Sequence, residues 1–298
     1  MTSRVPALRV VVLLAVLAAV GGAAWLVRGR ATPTRVFCGA DGRLTATAPL
    51  QSHRSYCLRA FTPVTHLRPG DPIDFGFDIV DDRGATVRQF EIVHEKRMHV
   101  IVVRHDLAHF QHVHPTFSVA SGRFDIHDLV LPTAGAYRLF ADFTPVGSFR
   151  GPEGEPLGVT VPIDLEVGDL RLPAADPVPQ PSDTARVGGY EVVLSRPDSL
   201  RAGEMARLTV TIHRGGAIVT DLEPYLGANG HAVLLREGDL AFIHSHALVD
   251  PVALRAGTLP FMVEFGEPGA YRMFVQFQHL GVVQTATLAL QPTWRGAQ

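Results

Sequence analysis

HEKRMHVIVVRHDLAHFQHVHP, residues His94 to Pro115, carries six of the fourteen histidines of this 298-residue chain. Inside it His99 opens an apolar run, Val100-Ile101-Val102-Val103, short enough to be a buried strand. A second run, Phe110 to His114, ends in a His-x-His pair and is stopped by Pro115. His99 precedes His112 by 13 positions. The stretch GHAVLLREGDLAFIHSH, Gly230 to His246, repeats the device, with His231 standing 13 positions before His244 and followed by His246.

Two further pairs of blocks show that the repeat extends beyond the histidines. Leu67-Arg68-Pro69-Gly70-Asp71 matches Leu200-Arg201-Ala202-Gly203-Glu204, and Gly135-Ala136-Tyr137-Arg138 matches Gly269-Ala270-Tyr271-Arg272. All three pairs fall in the same order at nearly constant offset, which marks an internal duplication. Within each copy the sequence is a succession of short β-like runs divided by turn residues. In the first copy these are Ile73–Val80, Met98–Val103, Phe110–His114, Phe124–Leu131, Ala136–Phe143 and Val159–Val167. No stretch of ten or more residues shows a convincing helical period. The expected fold is all-β, with two tandem immunoglobulin-like β-sandwich domains after an N-terminal transmembrane helix. Tyr137 and Tyr271, each two residues after a turn glycine, match the tyrosine corner of such sandwiches.

The expected boundaries follow from composition. Residues 1–30 form a membrane anchor or signal segment, in which Val10–Val27 is an unbroken run of apolar residues and glycines. Eighteen such residues span roughly 27 Å, near the hydrocarbon thickness, so an uncleaved anchor is favoured over a cleaved leader. The C-terminal part is then extracytoplasmic at the cell membrane, or secreted if the leader is cut. Residues 31–58 contain both cysteines, Cys38 and Cys57, which read as one disulfide worth roughly 3 kcal/mol. The first sandwich occupies 59–168, a proline-rich linker 169–186, the second sandwich 187–292, and a short tail 293–298. A net charge of −2 gives no electrostatic reason to expect nucleic acid.

Strand geometry gathers the histidines. Residues two apart on a strand share a face, so His112 and His114 point together, as do His244 and His246. A two-residue hairpin loop at Gly238-Asp239 pairs His231 with His246 and Val233 with His244. Any even-length loop around Asp106-Leu107 pairs His99 with His114 in the same way, whereas an odd one would flip the parity. Three neutral imidazoles on adjacent strands suit copper or zinc. The candidate metal ligands are therefore His99, His112, His114, His231, His244 and His246. Asp142 and His94 are subsidiary candidates near the first copy. Gln276 replaces Asp142 in the second copy, so the first site is expected to be the stronger. Histidines of ordinary pKa would make binding weaken around pH 6. His53, His66, His127 and His213 read as structural.

The blocks His-x-x-x-x-His, Asp-Leu, Phe-x-His-x-His-Pro and Gly-x-Tyr-Arg-x-Phe resemble those of uncharacterised bacterial cell-envelope proteins, over roughly Arg59 to Leu290. The architecture is also similar to the small exported copper-handling modules called CopC-like and YtkA-like. That resemblance implies a sandwich fold, an envelope location and copper; it transfers no ligand. The expected role is metal buffering or delivery, with the membrane and another envelope protein as partners. Two rivals stand beside it. One is an interaction module whose histidines only pin hairpins; the other is a His₃ zinc hydrolase or hydratase with activated water.

Overall fold

The computed structural model describes residues 35–38, 44–47, 56–147, 158–169 and 181–296. The expected anchor, most of the linker and the side chain of Cys38 lie outside these residues. No described helix is long and apolar enough to cross a membrane. The fold is all-β, and apart from one short hairpin its strands assemble into four antiparallel sheets.

A hairpin of β1 (Arg35–Cys38) and β2 (Leu44–Thr47) comes first. The first copy then supplies β3 (Tyr56–Ala60), β4 (Pro72–Asp81), β5 (His99–Arg104), β6 (Gln111–Val113) and β7 (Thr116–Ser118). It continues with β8 (Arg123–Val130), β9 (Gly135–Phe143) and β10 (Val159–Val167). These form sheets of order β3-β4-β8-β7 and β10-β9-β5-β6. The second copy supplies β11 (Thr184–Val187), β12 (Tyr190–Ser195), β13 (Met205–Arg214), β14 (Ala217–Ile218), β15 (His231–Arg236) and β16 (Phe242–His246). A helical turn α1 (Pro251–Arg255) precedes β17 (Thr258–Glu264), β18 (Tyr271–His279) and β19 (Val282–Leu290). One sheet runs β11-β12-β13-β14, with β17 also on β13; the other runs β16-β15-β18-β19.

The second sheets of the two copies have the same order once equivalent strands are matched: β10-β9-β5-β6 and β19-β18-β15-β16. Each copy closes its own core between its two sheets. Phe75, Phe77, Val100, Val102, Phe124 and Leu139 lie in one, and Leu208, Val210, Ala232, Leu234, Phe261 and Met273 in the other. The expected tyrosine corners are present, because Tyr137 Oη donates to the Thr133 carbonyl (3.1 Å) and Tyr271 Oη to the Glu267 carbonyl (2.9 Å). Cys57 is buried and disulfide-bonded, and no free cysteine occurs among the described residues.

A third apolar cluster explains why the run after His99 is apolar on both faces. Val100 and Val102 face the first core, while Ile101 and Val103 face a cluster shared with the second copy. That cluster joins Ile101, Val103, Leu107 and Phe140 to Val233, Leu235, Leu240 and Phe274. Phe110 stacks on Phe274 with centroids 4.1 Å apart, and Phe242 stacks on Phe140 at 5.0 Å. The exchange is reciprocal, since each ring meets the counterpart of its neighbour's partner. The two sandwiches therefore dock through the outer faces of β5 and β15, related by an approximate two-fold. Residues 99, 101 and 103 alternate with the inward ones, so His99 lies on the docked face, and by the same parity so does His231.

Candidate metal centre

Hairpin register brings each triad together. His231 pairs with His246 and Val233 with His244, as the sequence required. In the first copy Ile101 pairs with His112 and Val100 with Val113, which sets His99 opposite His114. The loops correct the expectation in detail. In the second copy Arg236 N donates to Ala241 O (3.1 Å), closing a four-residue loop, not a two-residue one. In the first, Arg104 N donates to Ala108 O (2.9 Å), closing a three-residue loop that alone would flip the histidines to the other face. His109, at φ 56, is the extra bulged residue that restores the parity.

The nitrogens of each triad lie within 4.8 Å of one another. In the first, His99 Nδ1 is 3.2 Å from His112 Nε2 and 3.1 Å from His114 Nε2. Nitrogens bonded tetrahedrally to one ion at about 2.0–2.1 Å would be about 3.3 Å apart. The remaining hydrogen bonds fix the tautomers. His99 Nε2 donates to the Val93 carbonyl (3.1 Å), so Nδ1 of the neutral ring carries a lone pair. His112 Nδ1 donates to Gln276 Oε1 (2.6 Å), leaving a lone pair on Nε2. Two lone pairs thus face each other at 3.2 Å, an arrangement that a cation between them satisfies.

The second triad uses the same atoms. His231 Nε2 donates to the Tyr225 carbonyl (2.7 Å), and His244 Nδ1 donates to Asp142 Oδ2 (2.7 Å). His231 Nδ1, His244 Nε2 and His246 Nε2 are then buried with no hydrogen-bond partner among the described residues. Three orphaned nitrogens aimed at one point are costly unless something binds them. They are the counterparts of the three nitrogens that converge in the first triad.

The carbonyls that orient His99 and His231 come from equivalent tight turns. Val93 and Lys96 exchange backbone hydrogen bonds across His94 (φ 48) and Glu95 (φ 65). Tyr225 and Ala228 do the same across Leu226 (φ 53) and Gly227 (φ 71). Positive φ at both central positions is the mark of a type I′ turn.

Both subsidiary candidates are placed differently from the sequence reading. Asp142 lies opposite His99 on β9, yet its carboxylate bonds His244 of the other triad. His94 turns away from His99 and stacks on His246, centroids 3.5 Å apart, with His231 at 5.7 Å. Gln276, read as a poor ligand, is instead the hydrogen-bond acceptor that orients His112. The two triads touch: the ring centroid of His244 lies 5.5 Å from that of His99 and 5.7 Å from that of His112. A cavity of about 40 Å³ lies against both, lined by Lys96, His99, Asp142, Thr144, His244 and His246 among others.

Burial keeps six rings of the centre neutral, those of His94, His99, His112, His114, His231 and His246. It lowers His99 and His231 to about 4, His114 to about 3 and His112 to about 2, with neighbouring histidines lowering each further. His94 and His246 are lowered chiefly by the same desolvation. The rings are thus free of protons well below the pH 6 expected from unperturbed histidine. In the metal-free chain the stability they allow is fully present above the unfolded value of about 6.5. It is lost as pH falls from there toward the folded values, because only the unfolded chain takes up the protons. Each histidine contributes a slope of up to about 1.4 kcal/mol per pH unit in that window. Urea midpoints of metal-free protein should therefore drop by several kcal/mol equivalents between pH 7 and pH 5. A flat profile over that range would contradict the neutral, buried cluster.

A family profile matches residues 60–152 and 185–293, more than half of the chain, and bears the description Domain of unknown function (DUF8832). The chain belongs to that family. The family's two matched segments contain one triad each. No curated protein matches the chain significantly. Among solved structures it is similar to a Salmonella alpha-2-macroglobulin mutant, at 12% identity and TM-score 0.24, covering 82% of this chain and 15% of that one. The surface layer protein SbsC, domains 4–9, matches at 11% and TM-score 0.24, covering 85% and 33%. Chicken CNTN1 FN1–FN3 domains match at 10% and TM-score 0.22, covering 76% and 68%. The chain thus spans a minor share of the first of these proteins.

Proposed function

We propose that this chain binds metal ions, copper by preference and zinc as the second choice, at one His₃ site in each of two immunoglobulin-like sandwiches. The observation that carries the reading is the pair of lone-pair nitrogens, His99 Nδ1 and His112 Nε2, held 3.2 Å apart by hydrogen bonds on their far sides. Neutral imidazole without thiolate or carboxylate in the converging set suits Cu²⁺ or Zn²⁺. The role is buffering or delivery outside the membrane, with the N-terminal segment as anchor and Cys38 as the partner of Cys57. The adjoining cavity of about 40 Å³ has room for a water-sized ligand beside the histidines.

The test is stoichiometry. Purified full-length chain, freed of metal and dialysed against Cu²⁺ or Zn²⁺, should retain two equivalents. His112→Ala with His114→Ala should retain one, and so should His244→Ala with His246→Ala. Retention of neither ion by the unaltered chain would leave the histidines as hairpin pins.

A further inference from the structure

The approximate two-fold that relates the triads is broken where the surrounding residues cross from one sandwich to the other. Equivalent histidines, His112 and His244, each donate through Nδ1 to the opposite sandwich at equivalent positions on β18 and β9. His112 meets the neutral amide of Gln276, whose nitrogen is in turn pinned on Thr285 Oγ1 (3.2 Å). His244 meets the carboxylate of Asp142, with the His244 side chain only 5% exposed. The same asymmetry recurs in the turns. The first sandwich reaches over with His94, stacked on His246, whereas the equivalent turn position of the second is Leu226, which has no donor atom in its side chain.

A carboxylate hydrogen-bonded to the far nitrogen of an imidazole raises the basicity of the ligating nitrogen and strengthens its bond to a metal; a neutral amide orients the ring without that gain. Asp142 also stands across the strand pair from His99, so its charge reaches both triads. Its hydrogen bond reaches only the second.

We infer that the triads are unequal halves of one interdomain centre. The triad of His231, His244 and His246 is the tight site for a nitrogen-preferring divalent ion, with Asp142 as its positioning residue. The triad of His99, His112 and His114 is the weaker, exchangeable site. The inference rests on the metal reading and reverses the order expected from the sequence.

Zn²⁺ titrated into the full-length chain against a chromophoric chelator should show two steps, the first at least tenfold tighter. Asp142→Asn, which keeps an acceptor but removes the charge, should weaken the tight step by about 10–100-fold and leave the weak one within threefold. Gln276→Glu should tighten the weak step, a gain that a misfolded protein cannot imitate. Two ions bound with equal affinity, or Asp142→Asn weakening both steps alike, would overturn the inference while leaving the metal reading intact. No Zn²⁺ bound at all would overturn both.

Discussion

Saturation with Zn²⁺ is expected to raise the thermal midpoint of the full-length chain by about 10–20 °C, and a chelator to reverse it. The size follows from linkage. A ligand that binds only the folded state stabilises it by about 2.7 kcal/mol per site at a hundredfold excess over Kd. Two sites give about 5 kcal/mol, and for a chain of this size 1 kcal/mol moves the midpoint by about 2–4 °C. The unfolded chain offers little competition. In each triad the converging nitrogens come from two strands of one hairpin, and their orientation depends on a turn carbonyl and on a residue of the other sandwich. None of that survives unfolding. His231→Ala should remove the larger part of the shift and His99→Ala the smaller, because each leaves the other triad its three nitrogens and the tighter site contributes more. A shift of full size in both variants would mean that the ion binds elsewhere.

Much of this site was legible in the sequence because strand parity is a strict rule. The 13-residue spacing shared by the two copies places one His opposite a His-x-His pair only in certain registers, and both hairpins adopt that register. The six boundaries read for the first copy lie close to β4, β5, β6, β8, β9 and β10. Loop lengths were not legible. The bulge at His109 and the four-residue loop at 237–240 are two solutions to one parity constraint, and local composition does not choose between them. The short turn α1 escaped a search for long helical periods, although Asp250 caps it through Val252 N and Ala253 N and Pro251 follows the cap.

What the sequence reading missed entirely is the cross-domain half of the centre. Docking of β5 on β15 depends on the relative placement of two folded sandwiches, and no periodicity within one copy encodes it. One signal was present. The residues Val100 to Val103 are apolar at every position, and a strand with one solvated face would alternate. That excess named a buried outer face without naming what covers it. Within one copy Asp142 and Gln276 read as a strong and a weak ligand, whereas in the folded chain each orients a histidine of the other copy.

Phe274→Ala should cost about 3–5 kcal/mol and also uncouple the two sandwiches. Phe274 is 3% exposed and lies parallel to Phe110, with centroids 4.1 Å apart and planes within 9°. Truncating it leaves a cavity in the shared cluster, which has seven other buried members to close around it. The same two segments carry the polar link two residues farther on. Phe110 lies just before β6, two residues ahead of His112, Phe274 precedes Gln276 on β18, and His112 Nδ1 bonds Gln276 Oε1 at 2.6 Å. Loosening the stack should therefore weaken the first triad's hold on metal as well as the fold. Urea unfolding of the unaltered chain should be one cooperative transition, because docking buries the outer faces of both sheets. In Phe274→Ala it should split into two, one for each core, with Zn²⁺ narrowing the gap. Val249→Ala, at a side chain 94% exposed, should change stability by less than about 0.5 kcal/mol and serves as the control. A variant that loses stability yet keeps a single transition would show that the two cores do not depend on this contact for their coupling.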